Sequence, residues 1–173
     1  MANKEALREL QSRLAERLQA ARTQERGKSW LAVECSGRGF LFPLKEAGEI
    51  FALSPIVAVP HAHAWFLGVA NLRGHLHGVV DLAGFLGIKG GEPLRDPSRL
   101  IAFNGALEIN CALLVDRLAG LRSEKQLHAH AALADGPRPP FVGTRFTDDT
   151  GRAWQELNLA ALAADEAFLR IVG

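Results

Sequence analysis

The six histidines fall into three His-x-His pairs, His61 with His63, His75 with His77 and His128 with His130. In a strand, residues i and i+2 face the same way, so each pair could offer two imidazoles to one metal ion. If residues 75–81 form one regular strand, Asp81 shares the face of His75 and His77. The chemistry goes no further. No Glu stands beside the pairs to act as a base, and no Cys accompanies them. A metal site also needs convergent ligands and groups that orient them. No metal is therefore expected.

Other catalytic patterns are missing. The chain has no G-x-S-x-G elbow, no Walker loop and no dinucleotide fingerprint. "GIKGGEP" carries glycines without the Lys-Ser/Thr that would grip phosphate and magnesium. Cys35 lies mid-strand, where a buried, inert thiol is expected. With tyrosine absent and the acids scattered, neither a catalytic residue nor a cofactor is expected.

"NLRG" between two of the His pairs is more informative. Asn71 and Gly74 suit a tight turn needing unusual backbone angles, which would display Leu72 and Arg73 between two strands. An Arg there offers a planar fork to a carboxylate, inside the protein or on a partner. On the tetrapeptide alone, a solvated structural hairpin and a binding loop are equally good readings.

The elements that must position this turn follow from periodicity. Leu7, Leu10, Leu14 and Leu18 recur at spacings of three and four, which predicts a helix over the first 26 residues. Residues 1–28 carry seven basic and four acidic side chains. The narrow leucine stripe needs a cover, and the protein's own body is the expected one. Beyond it "WLAVECSGRGFLFPL" alternates around a Ser36-Gly37 turn, and "SPIVAV" and "HGVVDL" read as further short strands. Asn104-Gly105 and the Asp148–Gly151 region mark two hairpins. The stretch from Asn158, a plausible N-cap, returns to helical spacing. "KGGEPLRDPS" and "ADGPRPP" read as loops. Many short strands without alternating helices predict a mainly β protein. Two strand-rich halves, about 30–88 and 98–157, suggest two small barrels sharing a core.

Composition bounds the partners. The 173 residues suit one domain with an extension, and the net charge of +1 gives no reason to expect nucleic acid or an anionic membrane. Cys35 and Cys111 lack C-x-x-C spacing, which fits a reduced compartment. Without a basic-then-apolar leader or a membrane-length apolar run, a cytoplasmic chain is expected, with no direct membrane insertion.

The longer pattern "VPHAHAWFLGVANLRGHLHGVVDLAGFLG", residues 59–87, resembles the CheW family of chemotaxis coupling proteins. The matching positions are Pro60, Trp65, Gly68, Val69, Asn71, Leu72, Arg73, Gly74, Val79, Asp81, Leu82, Leu86 and Gly87. "LLVDRLAGL" is similar to the family's second hallmark, with Val115 and Asp116 in place. The resemblance spans about residues 30–170, and its details are similar to the members found in type IV pilus (twitching) systems. One departure is Gly78, where the family usually has proline; a more flexible edge is expected there.

The resemblance implies two SH3-like five-stranded β-barrel subdomains sharing a core, over residues 29–173, with the helical extension (1–28) before them and a C-terminal helix. It implies a non-catalytic adaptor that couples the cytoplasmic tip of a methyl-accepting chemoreceptor to the regulatory domain of a CheA-type histidine kinase, at membrane-associated arrays. A flagellar chemotaxis adaptor and a His-rich metal enzyme are the alternatives. By the same resemblance, Asn71, Leu72, Arg73 and Gly74 belong to a partner-binding surface. Glu49 falls at an acidic position that family members pair with this Arg. Its neighbours Gly48 and Ile50 make an apolar setting, where an unpaired carboxylate would be costly to bury.

Overall fold

The structure is a computed structural model that describes residues 2–24, 27–88, 98–130 and 138–172, with the side chains of residue 2 and residues 18–24 left aside. The predicted loops at 89–98 and 134–140 fall mostly outside the described residues, and Leu18 lies among the undescribed side chains.

Eleven strands form among the described residues. They are β1 (Ser29–Cys35), β2 (Arg38–Pro43), β3 (Ala47–Ala52), β4 (Phe66–Leu72), β5 (His75–Asp81), β6 (Arg99–Phe103), β7 (Cys111–Val115), β8 (Arg117–Ser123), β9 (Leu127–His130), β10 (Val142–Asp148) and β11 (Ala153–Leu157). One sheet has six strands in the order β8-β1-β2-β11-β10-β9; the other has five, in the order β3-β6-β7-β5-β4. The two sheets do not follow the two sequence halves. β1 and β2 sit with the C-terminal strands, because β11 runs parallel to β2 with Trp154 opposite Gly39. A bulky ring needs an open site, and Gly39 supplies it: a Cβ there would lie 2.5 Å from the Trp154 ring.

Strand alternation sends successive side chains to opposite faces, and both faces of each sheet are apolar. Leu31, Val33, Phe40 and Phe42 of the first sheet meet Val80, Ile101, Leu113 and Val115 of the second in one shared core. Inside the five-stranded sheet lies a second, aliphatic cluster with Leu72, Val79, Leu100 and Leu114. Within the six-stranded sheet lies a third, with Trp30, Leu41, Phe146 and Trp154. Each sheet thus packs one face on its partner and curls round the other.

Several local expectations are corrected. "SPIVAV" is not a strand; only Val57 pairs, in a single bridge to Val69, and Pro55 and Pro60 cannot donate to a ladder. Asn104-Gly105 does not form a two-residue turn. Its side chain caps a short 3-10 turn (Gly105–Leu107) by accepting from the Ala106 N–H at 2.9 Å, and β7 begins only at Cys111. The C-terminal helix is two short ones, Leu159–Ala163 and Glu166–Leu169, since Asp165 caps the second by accepting from the Phe168 N–H at 3.0 Å. Gly78 lies on no edge: β5 is flanked by β4 and β7, and the Gly78 N–H donates to the Asn110 carbonyl at 2.9 Å. Proline could not make that bond.

The N-terminal helix α1 (Ala2–Gln24) forms, but over its residues 3–17 the expected cover does not. Every residue from 3 to 17 is exposed, with Leu7, Leu10 and Leu14 each more than half so.

Candidate functional site

The Asn-Leu-Arg-Gly turn joins β4 to β5. Leu72 pairs with His75, leaving Arg73 and Gly74 as a two-residue hairpin loop. Both have positive φ, 53° at Arg73 and 82° at Gly74, the geometry that matches the twist of the flanking strands. Asn71 does not take the left-handed conformation. Its side-chain oxygen instead accepts from the Gly74 N–H at 2.9 Å and so locks the loop. Leu72 is not displayed either. It is 2 % exposed and anchors the turn in the aliphatic cluster, because alternation along β4 turns it inward.

Arg73 stands out from this anchored base and meets Glu49, Nη2 to Oε1, at 2.5 Å. Glu49 reaches it because β3 bulges between Ala47 and Ile50, and a bulge re-aims side chains. Gly48 makes that bulge possible, as a Cβ there would sit 2.7 Å from the Phe103 carbonyl oxygen. β3 and β4 are opposite edges of the five-stranded sheet, so the ion pair closes the seam where the sheet curls on itself. The side chains are 41 % exposed for Glu49 and 76 % for Arg73, so the pair is solvated and not set in the apolar surroundings expected for Glu49. Such a pair contributes only about 0–1 kcal/mol to stability. Its effect is to hold a guanidinium and a carboxylate in fixed places on the surface.

Of the remaining motif residues, Gly68 and Val69 brace the same hairpin from behind. Gly68 has φ +138°, and a Cβ there would lie 2.0 Å from the Val57 carbonyl oxygen, so no other residue fits. Val69 exchanges backbone hydrogen bonds with Val57 at 2.8 and 2.9 Å. Trp65 packs its ring on Phe85 at 5.0 Å and stacks on His63 at 5.3 Å; Pro60 is exposed nearby in sequence. Asp81 is buried, its N–H donating to the Trp65 carbonyl, and Leu82 is fully buried. Val115 is buried, while Asp116 is exposed and accepts from the Ser36 N–H at 2.7 Å, tying β7 to the β1–β2 turn.

The histidines do not converge. His128 lies 3.1 Å from an Asp149 oxygen, His130 2.7 Å from the Thr147 hydroxyl, and His77 3.1 Å from the His75 carbonyl. Among the described residues no three His, Cys, Asp or Glu side chains could hold one metal ion. Burial pushes the Cys35 and Cys111 thiols up to about 12, so neither is a thiolate at neutral pH.

One polar cluster had no sequence signal. Glu34 on β1 receives ion pairs from Arg117 and Arg152, the latter 118 positions away. Burial pushes its carboxyl up, but hydrogen bonds from Arg152 and Arg117 outweigh this and hold it below the usual range. Arg152 also lies over the Trp154 ring, 4.5 Å from its centroid. Only the fold brings these strands together.

Two curled sheets share a common core, with a braced hairpin loop on one of them. Residues 29–167 match the family described as the CheW-like domain, and the chain belongs to that family. It is similar to Protein PilI of Pseudomonas aeruginosa, 31% identical over 157 residues that cover 86% of this chain and 83% of that protein. It is also similar to the chemotaxis protein CheW of Rhizobium meliloti, 36% identical over 67 residues, 39% of this chain and 43% of that protein. The crystal structure of the scaffolding protein TtCheW from Thermoanaerobacter tengcongensis has the same fold, with a TM-score of 0.63 at 19% identity over 76% of this chain and 88% of that one. The two sheets correspond to the SH3-like barrels of this fold, except that one has six strands where five were expected, because β1 and β2 join the C-terminal strands. No helix among the described residues is long and apolar enough to cross a membrane.

Proposed function

We propose that this chain is a non-catalytic adaptor that couples the cytoplasmic tip of a methyl-accepting chemoreceptor to the regulatory domain of a CheA-type histidine kinase, in a chemosensory system controlling type IV pilus twitching. It acts in the cytoplasm, at membrane-associated receptor arrays. The observation that carries this reading is the similarity to Protein PilI across most of both chains, which the shorter similarity to a chemotaxis CheW does not match in extent. Its mechanism is placement: holding receptor and kinase together lets a small receptor shift bias kinase activity. Asn71, Arg73, Gly74 and Glu49 form the contact surface, with Leu72 anchoring the loop beneath.

The test is titration of the purified chain with the regulatory domain of a CheA-type kinase from the same genome. Saturable binding with a Kd on the order of micromolar is expected, as suits a reversible array that gains avidity from multiplicity. A deletion strain should lose twitching and keep swimming. Loss of swimming alone would transfer the assignment to flagellar chemotaxis, and absence of kinase binding would remove the adaptor reading.

A further inference from the structure

Helix α1 carries a stripe that the protein itself leaves open. Leu7, Leu10 and Leu14 are 56%, 55% and 52% exposed, and none of the residues from 3 to 17 is buried. Helices in proteins draw most of their stability from packing an apolar face, so a cover would stabilise this one. Charge placement identifies the cover. At about 100° per residue, Lys4 borders the leucine stripe on one side and Arg17 on the other, with Arg8 and Arg13 next behind them. Glu5, Glu9 and Glu16 gather on the opposite face. Between residues 3 and 17 no carboxylate lies nearer the stripe than these cations.

A second copy of α1 fits poorly, because both flanks are cationic. Parallel pairing would face Arg17 with the Lys4 flank, and antiparallel pairing would face each flank with itself; like charges at such positions destabilise. A lipid surface fits less well than a protein helix. Residues 2–24 contain no aromatic side chain, whereas helices lying in a membrane interface carry Trp, Phe and Leu on a broad apolar face. A narrow leucine seam is the geometry of helix-on-helix packing. We propose that α1 is a docking helix for an acidic amphipathic helix of a partner protein, one whose apolar seam is bordered by Asp or Glu. This surface lies outside residues 29–167 and is separate from the Glu49–Arg73 surface, so it stands whether or not the adaptor reading does.

The test titrates the full chain with three probes. The first is a synthetic helical peptide with a leucine seam bordered by Glu, the second the same peptide with Lys in place of Glu, and the third vesicles containing phosphatidylglycerol. The Glu peptide should bind at least about tenfold more tightly than the Lys peptide, and its affinity should fall as salt rises. Leu10→Asp with Leu14→Asp should abolish binding without moving the melting temperature, as these side chains are exposed. Arg13→Glu with Arg17→Glu should erase or reverse the preference between peptides. Equal binding of the two peptides would overturn the proposal. So would vesicle binding without Glu-peptide binding, or dimerisation of the chain that the leucine substitutions abolish.

Discussion

The two barrels are held together in different ways. The interior of the six-stranded barrel is aromatic and polar-handled. Trp30 packs on Phe146 at 5.1 Å and donates its indole N–H to Glu156 at 2.6 Å, while Trp154 donates to Asp148 at 3.0 Å beneath the Arg152 guanidinium. The interior of the five-stranded barrel is aliphatic and small: Ala70, Leu72, Val79, Leu100, Ala102, Ala112 and Leu114. Directional bonds fix the first, and close packing fixes the second. Its polar groups are thereby left at the seam, where Glu49 and Arg73 face solvent. The barrel with the plainer interior is the one that carries the candidate site.

The largest test of this contrast is Trp154→Ala. It empties the centre of the six-stranded barrel and strips Asp148 of a donor, so a loss of about 3–5 kcal/mol is expected in urea unfolding. A loss below about 1 kcal/mol would show that the aromatic lock is not what holds this barrel. In the five-stranded barrel the sharpest counterpart is Gly68→Ala, which sets a methyl against the Val57 carbonyl at positive φ. Overpacking of this kind costs about 1–3 kcal/mol, and the hairpin amides should lose hydrogen-exchange protection first.

Acid should separate the barrels further. The Thr150 hydroxyl and then the Trp154 indole hold the Asp148 carboxyl well below the usual range. Its contribution is therefore present above the ordinary Asp value and is lost as pH falls through the lowered one. Asp148→Asn should flatten the acid limb of the stability curve while leaving the Glu49–Arg73 surface unaffected. An unchanged acid limb would remove Asp148 from the account.

Smaller still is the seam pair. Glu49→Arg and Arg73→Glu should each shift stability by about 1 kcal/mol or less, yet each should weaken kinase-domain binding. The double reversal should recover part of that loss. Strictly additive losses would mean that Arg73 acts on the partner directly, without Glu49. Smallest of all is deletion of residues 1–26, which should leave the melting temperature of the barrels unchanged, since Leu7, Leu10 and Leu14 are exposed. Insoluble protein would contradict this.

Much of this was legible in the residues. The β1–β2 hairpin, the Asn71–Gly74 turn and helix α1 are local features, set by alternation, turn chemistry and helical spacing within a few positions. The membership of β1 and β2 in the C-terminal barrel was not legible, because β11 meets β2 through Gly39 and Trp154, 115 positions apart, and no periodicity encodes which strands will be neighbours. The same limit hid the Glu34–Arg117–Arg152 cluster. Leu72 looked displayed because it borders the turn, whereas alternation along β4 places it beside Ala70 on the inward face. The Glu49–Arg73 pair came from family resemblance and not from spacing, and its geometry depends on a bulge at Gly48 that only packing against Phe103 explains. Sequence by itself determined where the chain turns and which residues are apolar, because those depend on neighbours along the backbone. Tertiary structure alone decided which strands share a barrel and which edge the ion pair closes. It also decided that residues 3–17 of α1 are left uncovered, because burial is a property of residues distant in sequence.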